Sequence, residues 1–434
     1  MTKAPSIADI KSGFLIFLIA LPLCLGISMA SGCPPIAGII TAMVGGLISG
    51  FLGGSRLSIK GPAAGLIVII LGAVQELGQG DAILGYKRCL GVAVVAAICQ
   101  IIFSKLNAGR IGRLMPSAVI HGMLAAIGVI IIAKQLHVMF GVAPHSKTPL
   151  ELIAEVPHSM ANANPEIVII GLLTLFVALF VPLIPVGIAK KIPSAMISLA
   201  IVLPLALLWH FDSPHHYRFW EHDFELGPKF LVTLPDNLFA SLVFPDFSAL
   251  TSLVGWKYVL MMALIGSIES LLTVMAIDSM DPKKQRSDLN KDLFSVGVGN
   301  LCAAMLGGIP MISEVVRSKA NIDAGAQSQW SNFFHGAFLL IAVTMLTPVI
   351  HEIPLSALAA LLIITGFRLS SPKEFYHAYQ VGFDELLVFL TTLIVTLKID
   401  LLMGVFAGVV LKIVLDVALG RIKLATRVRA RNRD

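Results

Sequence analysis

Charged residues are scarce in this sequence. Asp, Glu, Lys and Arg make up 13% of its 434 residues, whereas a soluble domain carries about 25%. Hydrophobic residues make up 56%, and the mean hydropathy is +0.87. So little charge cannot cover a surface that faces water on all sides, so a soluble globular protein is excluded.

Motifs of catalysis and metal binding are also missing. We find no H-E-x-x-H, G-x-S-x-G or P-loop pattern in a usable context, and we therefore predict that the protein is not an enzyme. The five cysteines show no C-x-x-C or Cys/His spacing, which favours packing within apolar segments. Histidines and aspartates cluster irregularly between residues 210 and 223, a pattern more typical of a solvated loop than of a metal site.

Long apolar runs take the place of these features. A helix needs about 20 apolar residues to cross roughly 30 Å of hydrocarbon. Such runs recur along the whole chain, for example at residues 14–30, 90–103, 167–186, 258–277 and 401–419. We therefore predict an all-α membrane protein embedded in the lipid bilayer by about 14 transmembrane segments.

Basic residues indicate how the chain is oriented. Much of the net charge of +6 lies in one C-terminal run, formed by Arg421, Lys423, Arg427, Arg429, Arg431 and Arg433. A basic run directly after the last span is explained by topology and anionic lipid, so no nucleic-acid partner is expected. We predict an integral protein of the bacterial inner (plasma) membrane with both termini cytoplasmic. Residues 1–420 would form one transport domain, and residues 421–434 a short basic cytoplasmic tail.

Two interrupted segments carry a repeated pattern. Residues 57–62 end in Gly61-Pro62 and precede a half-length apolar helix, and residues 307–310 end in Pro310 before the stretch MISEVVRSKAN. The two prolines lie 248 positions apart, and this offset approximately superposes the first span on the span that starts near Lys257. Broken helices at matching positions are typical of inverted-repeat transporters. We predict a 7+7 inverted repeat, at about residues 8–210 and 251–420, with half-helices as the third and tenth spans.

Glu269 is the first candidate for chemistry. It lies near the middle of the eighth span, where a carboxylate costs at least about 2.5 kcal/mol on insertion scales and therefore needs a partner, an ion or water. Thr273 lies one turn later on the same face, with Ser270 beside it. Carboxylate and hydroxyl oxygens suit a sodium ion or a proton, so we predict a coupling-ion site at Glu269, Thr273 and Ser270, with no other cofactor and no structural metal.

The starts of the half-helices are the second candidate. Each N-terminus presents about +0.5 of a charge and free backbone N–H groups, which together attract anions. Lys60 precedes the first half-helix, and Glu314 and Arg317 lie in the first turns of the second. We predict that these ends bind a small inorganic anion through Lys60, Gly61, Pro62, Ala63, Pro310, Met311, Ile312, Ser313, Glu314 and Arg317.

The net charge of the predicted site indicates which charge the substrate carries. We expect Glu269 or Glu314 to be the carboxylate nearest to Lys60. If all these groups face one cavity, the two helix ends, Lys60 and Arg317 outweigh the two glutamates by about one charge, which favours a monovalent anion. A sodium ion or a proton on one glutamate would admit a dianion instead.

Four motifs together resemble the SulP anion transporters, which include sulfate permeases, cyanobacterial bicarbonate transporters and the animal motor protein prestin. They are LPLCLGISMASGCPPIAGI, SIKGPAAG, IGSIESLLTVMAID and GGIPMISEVVRSKANIDAGA. The resemblance covers about residues 8–420. It implies a uracil-permease-like fold in which a core domain, carrying the site on spans one, three, eight and ten, moves against a gate domain as an elevator. It also matches Arg317 to an arginine of many members, and Glu269 and Thr273 to the sodium site of sodium-coupled bicarbonate members.

Three departures from that pattern affect the interpretation. Glu314 and Val316 stand where small polar residues are usual, and Lys60 stands where many members have Ser or Thr. The chain also ends about fifteen residues after the last predicted span, so the STAS domain typical of the family is expected to be absent.

We predict a secondary active transporter of a small oxyanion, bicarbonate before sulfate, coupled to Na⁺ or H⁺. A homodimer is compatible with this architecture. Two alternatives stay open: a uracil or xanthine permease of the same fold, and a non-transporting motor or sensor that resembles prestin.

Overall fold

The computed structural model of the protein describes residues 4–109, 116–146, 148–183, 192–220, 222–235 and 242–419. The basic run at residues 421–434, which we predict to be a cytoplasmic tail, lies outside these residues.

Helices make up most of the described chain, as predicted for an all-α membrane protein. In the N-terminal half they are α1 (Ile7–Ala30), α2 (Pro35–Val44), α3 (Gly50–Leu52), α4 (Ile67–Gly78), α5 (Ala82–Lys105), α6 (Ser117–Met139), α7 (Pro149–Ala161), α8 (Pro165–Phe180) and α9 (Ser194–Leu208). In the C-terminal half they are α10 (Leu253–Met280), α11 (Leu289–Met305), α12 (Val315–Asp323), α13 (Trp330–Met345), α14 (Thr347–His351), α15 (Leu355–Leu369), α16 (Pro372–Val381), α17 (Phe383–Lys398) and α18 (Leu401–Ala418).

Several of these helices have the length and composition of membrane spans. Among the described residues, eight helices are long and apolar enough to cross a bilayer, and three shorter helices are predominantly apolar. Most described residues of the apolar runs quoted from the sequence lie in helices, namely α1, α5, α8, α10 and α18. The element order is consistent with seven segments in each half, although the count of 14 stays a prediction.

Helix starts repeat at the predicted offset around the two broken spans. The half-helices α4 and α12 begin 248 positions apart, at Ile67 and Val315. The helices that follow them, α5 and α13, begin at Ala82 and Trp330, again 248 positions apart. The two halves therefore share the local plan of an extended segment, a half-helix and a longer helix.

The extended segments before the half-helices pair with each other. Strand β1 (Ile59–Pro62) and strand β4 (Met311–Glu314) form a two-stranded antiparallel ladder. The sequence predicts residues 57–62 as extended, but it starts the second half-helix soon after Pro310 and places Glu314 in its first turns, whereas Met311–Glu314 form a strand and α12 begins at Val315. The sequence does not predict the pairing of the two strands. Backbone N–H and C=O groups find no water partners in hydrocarbon, so two unwound segments at the same depth satisfy each other.

Side chains from neighbouring helices hold the outer edges of this ladder. On β4, the Ser313 N–H donates to Ser270 Oγ of α10 over 3.1 Å, and the Met311 N–H donates to Asn300 Oδ1 of α11 over 2.6 Å. On β1, the Ile59 N–H donates to Ser318 Oγ of α12 over 2.8 Å. These bonds fix both half-helix starts within the surrounding bundle.

The His-rich connection folds as a hairpin. Strands β2 (His215–Phe219) and β3 (His222–Leu226) pair in antiparallel fashion, and most of their side chains are at least partly exposed. Within the described residues, no group of three His, Cys, Asp or Glu side chains could hold a metal ion.

The chain forms two compact units. The larger contains the described residues of Met1–Leu114 and Val129–Arg368, and the smaller those of Met115–Gly128 and Leu369–Asp434. The larger unit holds α1, α4, α10 and α12, the four spans on which the family resemblance places the site. In the smaller unit, Phe389 and Val119 lie in an apolar core, and Lys412 of α18 bridges Glu385 and Asp416 over 2.6 and 2.9 Å.

Candidate anion site at the crossing of the half-helices

The predicted site residues of the two strands lie on opposite faces of the ladder. Lys60 lies opposite Ser313, and Gly61 lies opposite Ile312, in the antiparallel register. Side chains alternate along a strand, so Lys60 and Ser313 share one face, and Gly61 and Ile312 share the other. Glu314, two residues beyond Ile312, belongs to the face of Gly61. The two faces have different neighbours and different chemistry.

Arg317 lies on the Gly61 face. Its side chain is 1% exposed, and its guanidinium donates from Nη2 to the carbonyl oxygen of Pro62 over 3.0 Å and from Nη1 to Cys24 Sγ over 3.5 Å. A Cβ at position 61 would overlap Nη1, so only glycine admits the guanidinium here. Arg317 Nε has no hydrogen-bonding partner within the described residues. The guanidinium is thus held by α1 and β1, and its Nε–H donor is left without a partner among the described residues.

Glu314 lies where the two half-helix starts meet. It is the N-cap residue of α12, and it lines one cavity together with Ala64, which lies just before α4. Its Oε1 lies 3.7 Å from Arg317 Nη2, longer than a hydrogen bond, and this buried oxygen has no hydrogen-bonding partner among the described residues. Glu314 therefore lies at the start of α12, with its carboxylate beside a cation, where an anion would also bind.

A cavity of about 270 Å³ opens in front of this group. It is lined by Glu314, Arg317 and Ala64, by residues of α1 and by the exposed Arg368 of α15. One water takes up about 30 Å³ of liquid volume, so a small hydrated oxyanion fits this space. The cavity belongs entirely to the larger unit.

Glu269, on α10, lies near the start of the first half-helix. It is 5% exposed, and neither of its carboxylate oxygens has a hydrogen-bonding partner among the described residues. A Cβ at position 65 would overlap this carboxylate, which therefore lies against the backbone just before α4. An unpartnered buried carboxylate is costly in its ionised form, so a proton or a cation is the natural occupant of this position.

The two hydroxyl residues of the predicted coupling site, Thr273 and Ser270, differ in their hydrogen bonds. Thr273 is buried one turn after Glu269 on the same helix, as predicted. Ser270 is also buried, but its Oγ accepts the hydrogen bond from the Ser313 N–H that holds β4.

Lys60 lies on the opposite face of the ladder. Its ammonium forms a 2.7 Å ion pair with Asp292 of α11, and both side chains are 1% exposed. Ser58 Oγ lies 3.0 Å from Nζ, and Ser313 Oγ donates to the second Asp292 oxygen over 3.0 Å. The prediction that Glu269 or Glu314 would be its nearest carboxylate is therefore wrong, because strand alternation turns Lys60 away from Glu314 and toward α11.

The other predicted binding residues contribute mainly through backbone. Pro310 accepts a 3.4 Å hydrogen bond from the Ala63 N–H, so these two residues join the strands beyond their last ladder pair. Met311 and Ile312 are buried within β4, and none of these four side chains lines the described cavity.

The charge balance of the cavity changes as a result. Asp292 cancels Lys60 on the far face. Around Glu314 the remaining groups are the two helix ends and Arg317 against Glu269 and Glu314, which sum to about zero when both glutamates are ionised; the exposed Arg368 of the cavity lining is not part of this sum. Our predicted surplus of one positive charge therefore depended on the wrong partner for Lys60.

Sequence reasoning missed several residues that shape the site. Asp292, Asn300, Ser318 and Asn321 carry hydrogen bonds that position the two half-helices. One signal was available for α11, because Asp292, Ser295 and Gly299 are spaced to form a polar or small face on an otherwise apolar helix.

Comparisons with known proteins bear directly on this arrangement. The family described as the Sulfate permease family matches residues 7–392. This chain belongs to the Sulfate permease family. It is accordingly a membrane anion transporter of that family and not an enzyme.

Individual relatives support the assignment. The chain is 25% identical over 391 residues to the bicarbonate transporter BicA of Picosynechococcus, covering 90% of this chain and 66% of the relative. It is 26% identical over 392 residues to YvdB of Bacillus subtilis, whose name assigns it to sulfate transport, covering 90% and 69%. The chain thus spans about two thirds of the length of these relatives.

A solved structure shows the same fold. The transmembrane domain of a cyanobacterial bicarbonate transporter BicA superposes with a TM-score of 0.75 at 22% identity, covering 93% of this chain and 97% of that one. This likeness confirms the predicted fold class, a helical SulP-type transmembrane domain.

Proposed function

We propose that the protein is a secondary active transporter of a small inorganic oxyanion, with bicarbonate favoured and sulfate next. The observation that supports this most strongly is the convergence of two half-helix N-termini and Arg317 on one cavity. The bicarbonate and sulfate transport named for its relatives supports the same two substrates.

We further propose that transport is coupled to Na⁺ or H⁺ at Glu269. Its two unpartnered oxygens and the buried hydroxyl of Thr273 one turn away support a cation site. An elevator movement of the core spans, cytoplasmic termini and a bacterial inner-membrane location complete this proposal. We also propose that the protein forms a homodimer, which crosslinking in the membrane would test.

Uptake into proteoliposomes tests the function. Labelled bicarbonate and labelled sulfate are offered separately, each with and without a sodium gradient and with and without a pH gradient. We expect concentrative uptake of at least one anion that one gradient stimulates and excess unlabelled anion inhibits. No uptake of either anion under any gradient would contradict the proposal. Inhibition by uracil or xanthine instead would favour a nucleobase permease, and anion binding without uptake would favour a motor or sensor.

Substitution of Glu269 tests the coupling. Glu269→Gln keeps the side-chain volume and removes the charge, so we expect a folded protein in which a cation held at Glu269 no longer contributes to driving uptake. Gradient-driven uptake at the wild-type rate in this variant would contradict a coupling role for Glu269.

A further inference from the structure

Glu314 is an acidic residue at a place that attracts anions. Glu314 is the N-cap residue of α12, it lines the cavity together with Ala64 before α4, and its carboxylate lies 3.7 Å from Arg317. Those are the groups that the proposed function assigns to the transported anion. An ionised Glu314 and a bound oxyanion would therefore compete for the same positive field.

The surroundings do not complete the bonding of this carboxylate. Glu314 Oε1 is buried and unpartnered within the described residues, although Arg317 Nε nearby also lacks a partner. A carboxylate that only served to neutralise Arg317 would be expected to form a paired, bidentate contact. Both Glu314 and Arg317, which line the cavity, therefore keep an atom that can still form a hydrogen bond.

The charged and titratable groups around Glu314 come from six elements. Arg317 lies on α12, the Cys24 thiol of α1 accepts a hydrogen bond from its guanidinium, and the Glu269 carboxylate of α10 lies against Gly65 before α4. Arg368 of α15 lines the shared cavity. Lys60 and Asp292 lie on the far face of the ladder and neutralise each other. With Glu269 and Glu314 both ionised, the two carboxylates balance Arg317 and the two helix ends, and the exposed Arg368 adds one positive charge to the cavity lining.

We propose that Glu314 acts as a tethered anion that must take up a proton before the transported oxyanion can bind. This inference rests on the proposed anion transport and specifies its coupling. A proton from the same aqueous side as the anion neutralises the carboxylate, and the anion then occupies the helix N-termini and Arg317. Each anion thereby carries a proton through Glu314, separately from any cation held by Glu269.

Sulfate is the best probe, because its charge stays constant over the neutral pH range. For wild-type protein we expect the KM for sulfate uptake to rise with pH, by up to about tenfold per pH unit for one linked proton. Glu314→Gln should hold the KM near its low-pH value at every pH and should lower the number of protons carried per anion by one. Glu269→Gln should keep the pH dependence of KM. Glu76→Gln, at the far end of α4, is the matched control and should behave as wild type.

Binding to the unmodified protein provides a test that does not depend on any variant folding. Sulfate or bicarbonate added to weakly buffered, detergent-solubilised protein should cause uptake of protons, and it should raise the unfolding temperature more at low pH than at high pH. For bicarbonate, the proton balance of the anion itself is measured in a matched sample without protein.

The outcomes separate this inference from the proposed function. Wild-type uptake with a KM independent of pH, or anion binding without proton uptake, overturns the role of Glu314 and leaves anion transport standing. So does a pH dependence that persists in Glu314→Gln and disappears in Glu269→Gln. Absence of both uptake and anion-induced stabilisation at every pH overturns the proposed function, and this inference with it.

Discussion

Two cations lie buried at the crossing of the half-helices, and their surroundings differ. Lys60 has a carboxylate at 2.7 Å and two serine hydroxyls around the pair. Arg317 is equally buried, but its acidic neighbour Glu314 stands 3.7 Å away and both partners keep an unpartnered polar atom. A pair whose bonding is complete has no capacity left for a ligand, whereas the incomplete pair faces the cavity.

One strand residue separates these two environments. Ser313 faces Lys60 and Asp292, and the adjacent Glu314 faces Arg317. Because successive side chains of a strand point to opposite sides, a four-residue strand can hold a structural ion pair on one side and a binding site on the other. The difference suggests that the Lys60 side maintains the ladder and that the Arg317 side binds the anion.

The largest effect is expected on stability, when the ion pair between Lys60 and Asp292 is broken. Asp292→Asn leaves the Lys60 ammonium buried without a counter-charge, which should lower the free energy of unfolding by about 3–5 kcal/mol. Thermal unfolding of the purified protein in detergent measures this loss. The matched control replaces both partners, as Lys60→Met with Asp292→Leu, and should recover most of the stability. If the single variant were as stable as wild type, the pair would not maintain the ladder.

Arg317→Ala should affect anion binding more than it affects stability. It removes the cation at the cavity, so the KM for anion uptake should rise at least tenfold, or about 1.4 kcal/mol of binding free energy. We expect a smaller relative effect on stability than for Asp292→Asn. Arg56→Ala is the matched control, because Arg56 pairs with Asp281 at 2.9 Å outside the described cavity and should leave KM unchanged. An unchanged KM in Arg317→Ala would make Arg317 structural as well.

Much of this arrangement could be predicted from the sequence. Gly61-Pro62 and Pro310 indicate broken helices, and an acidic residue at mid-membrane indicates a buried site at Glu269. The partner of Lys60 could not be predicted, because it depends on the register between two strands that are about 250 positions apart. A shift of one residue would turn Lys60 toward the cavity. Asp292 could have been noticed as a polar residue in an apolar span, but its pairing requires the fold.

Gly65→Ala should have an intermediate effect on the cavity side. The added Cβ would overlap the Glu269 carboxylate, so the carboxylate must move away from α4. We expect the apparent affinity for the coupling ion to fall several-fold, measured as uptake against the concentration of Na⁺ or H⁺. The control adds Glu269→Ser, which should relieve the overlap and restore thermal stability without restoring the coupling. Wild-type ion dependence in Gly65→Ala would show that the position of Glu269 is not critical.

Ser270→Ala should have the smallest effect and should sharpen the boundary between the two sides. Ser270 is adjacent to the proposed coupling residue Glu269, yet its Oγ accepts a hydrogen bond from the Ser313 N–H. Loss of one such bond costs about 1 kcal/mol, so we expect a slightly lower unfolding temperature. The dependence of uptake on Na⁺ or H⁺ should stay as in wild type, because the hydroxyl is occupied by the ladder. Ser267→Ala is the matched control, since Ser267 bonds only to the Ala263 carbonyl of its own helix in the described structure and should change neither property. A change of ion dependence in Ser270→Ala alone would place Ser270 in the ion site and would extend the cavity side of the crossing by one residue.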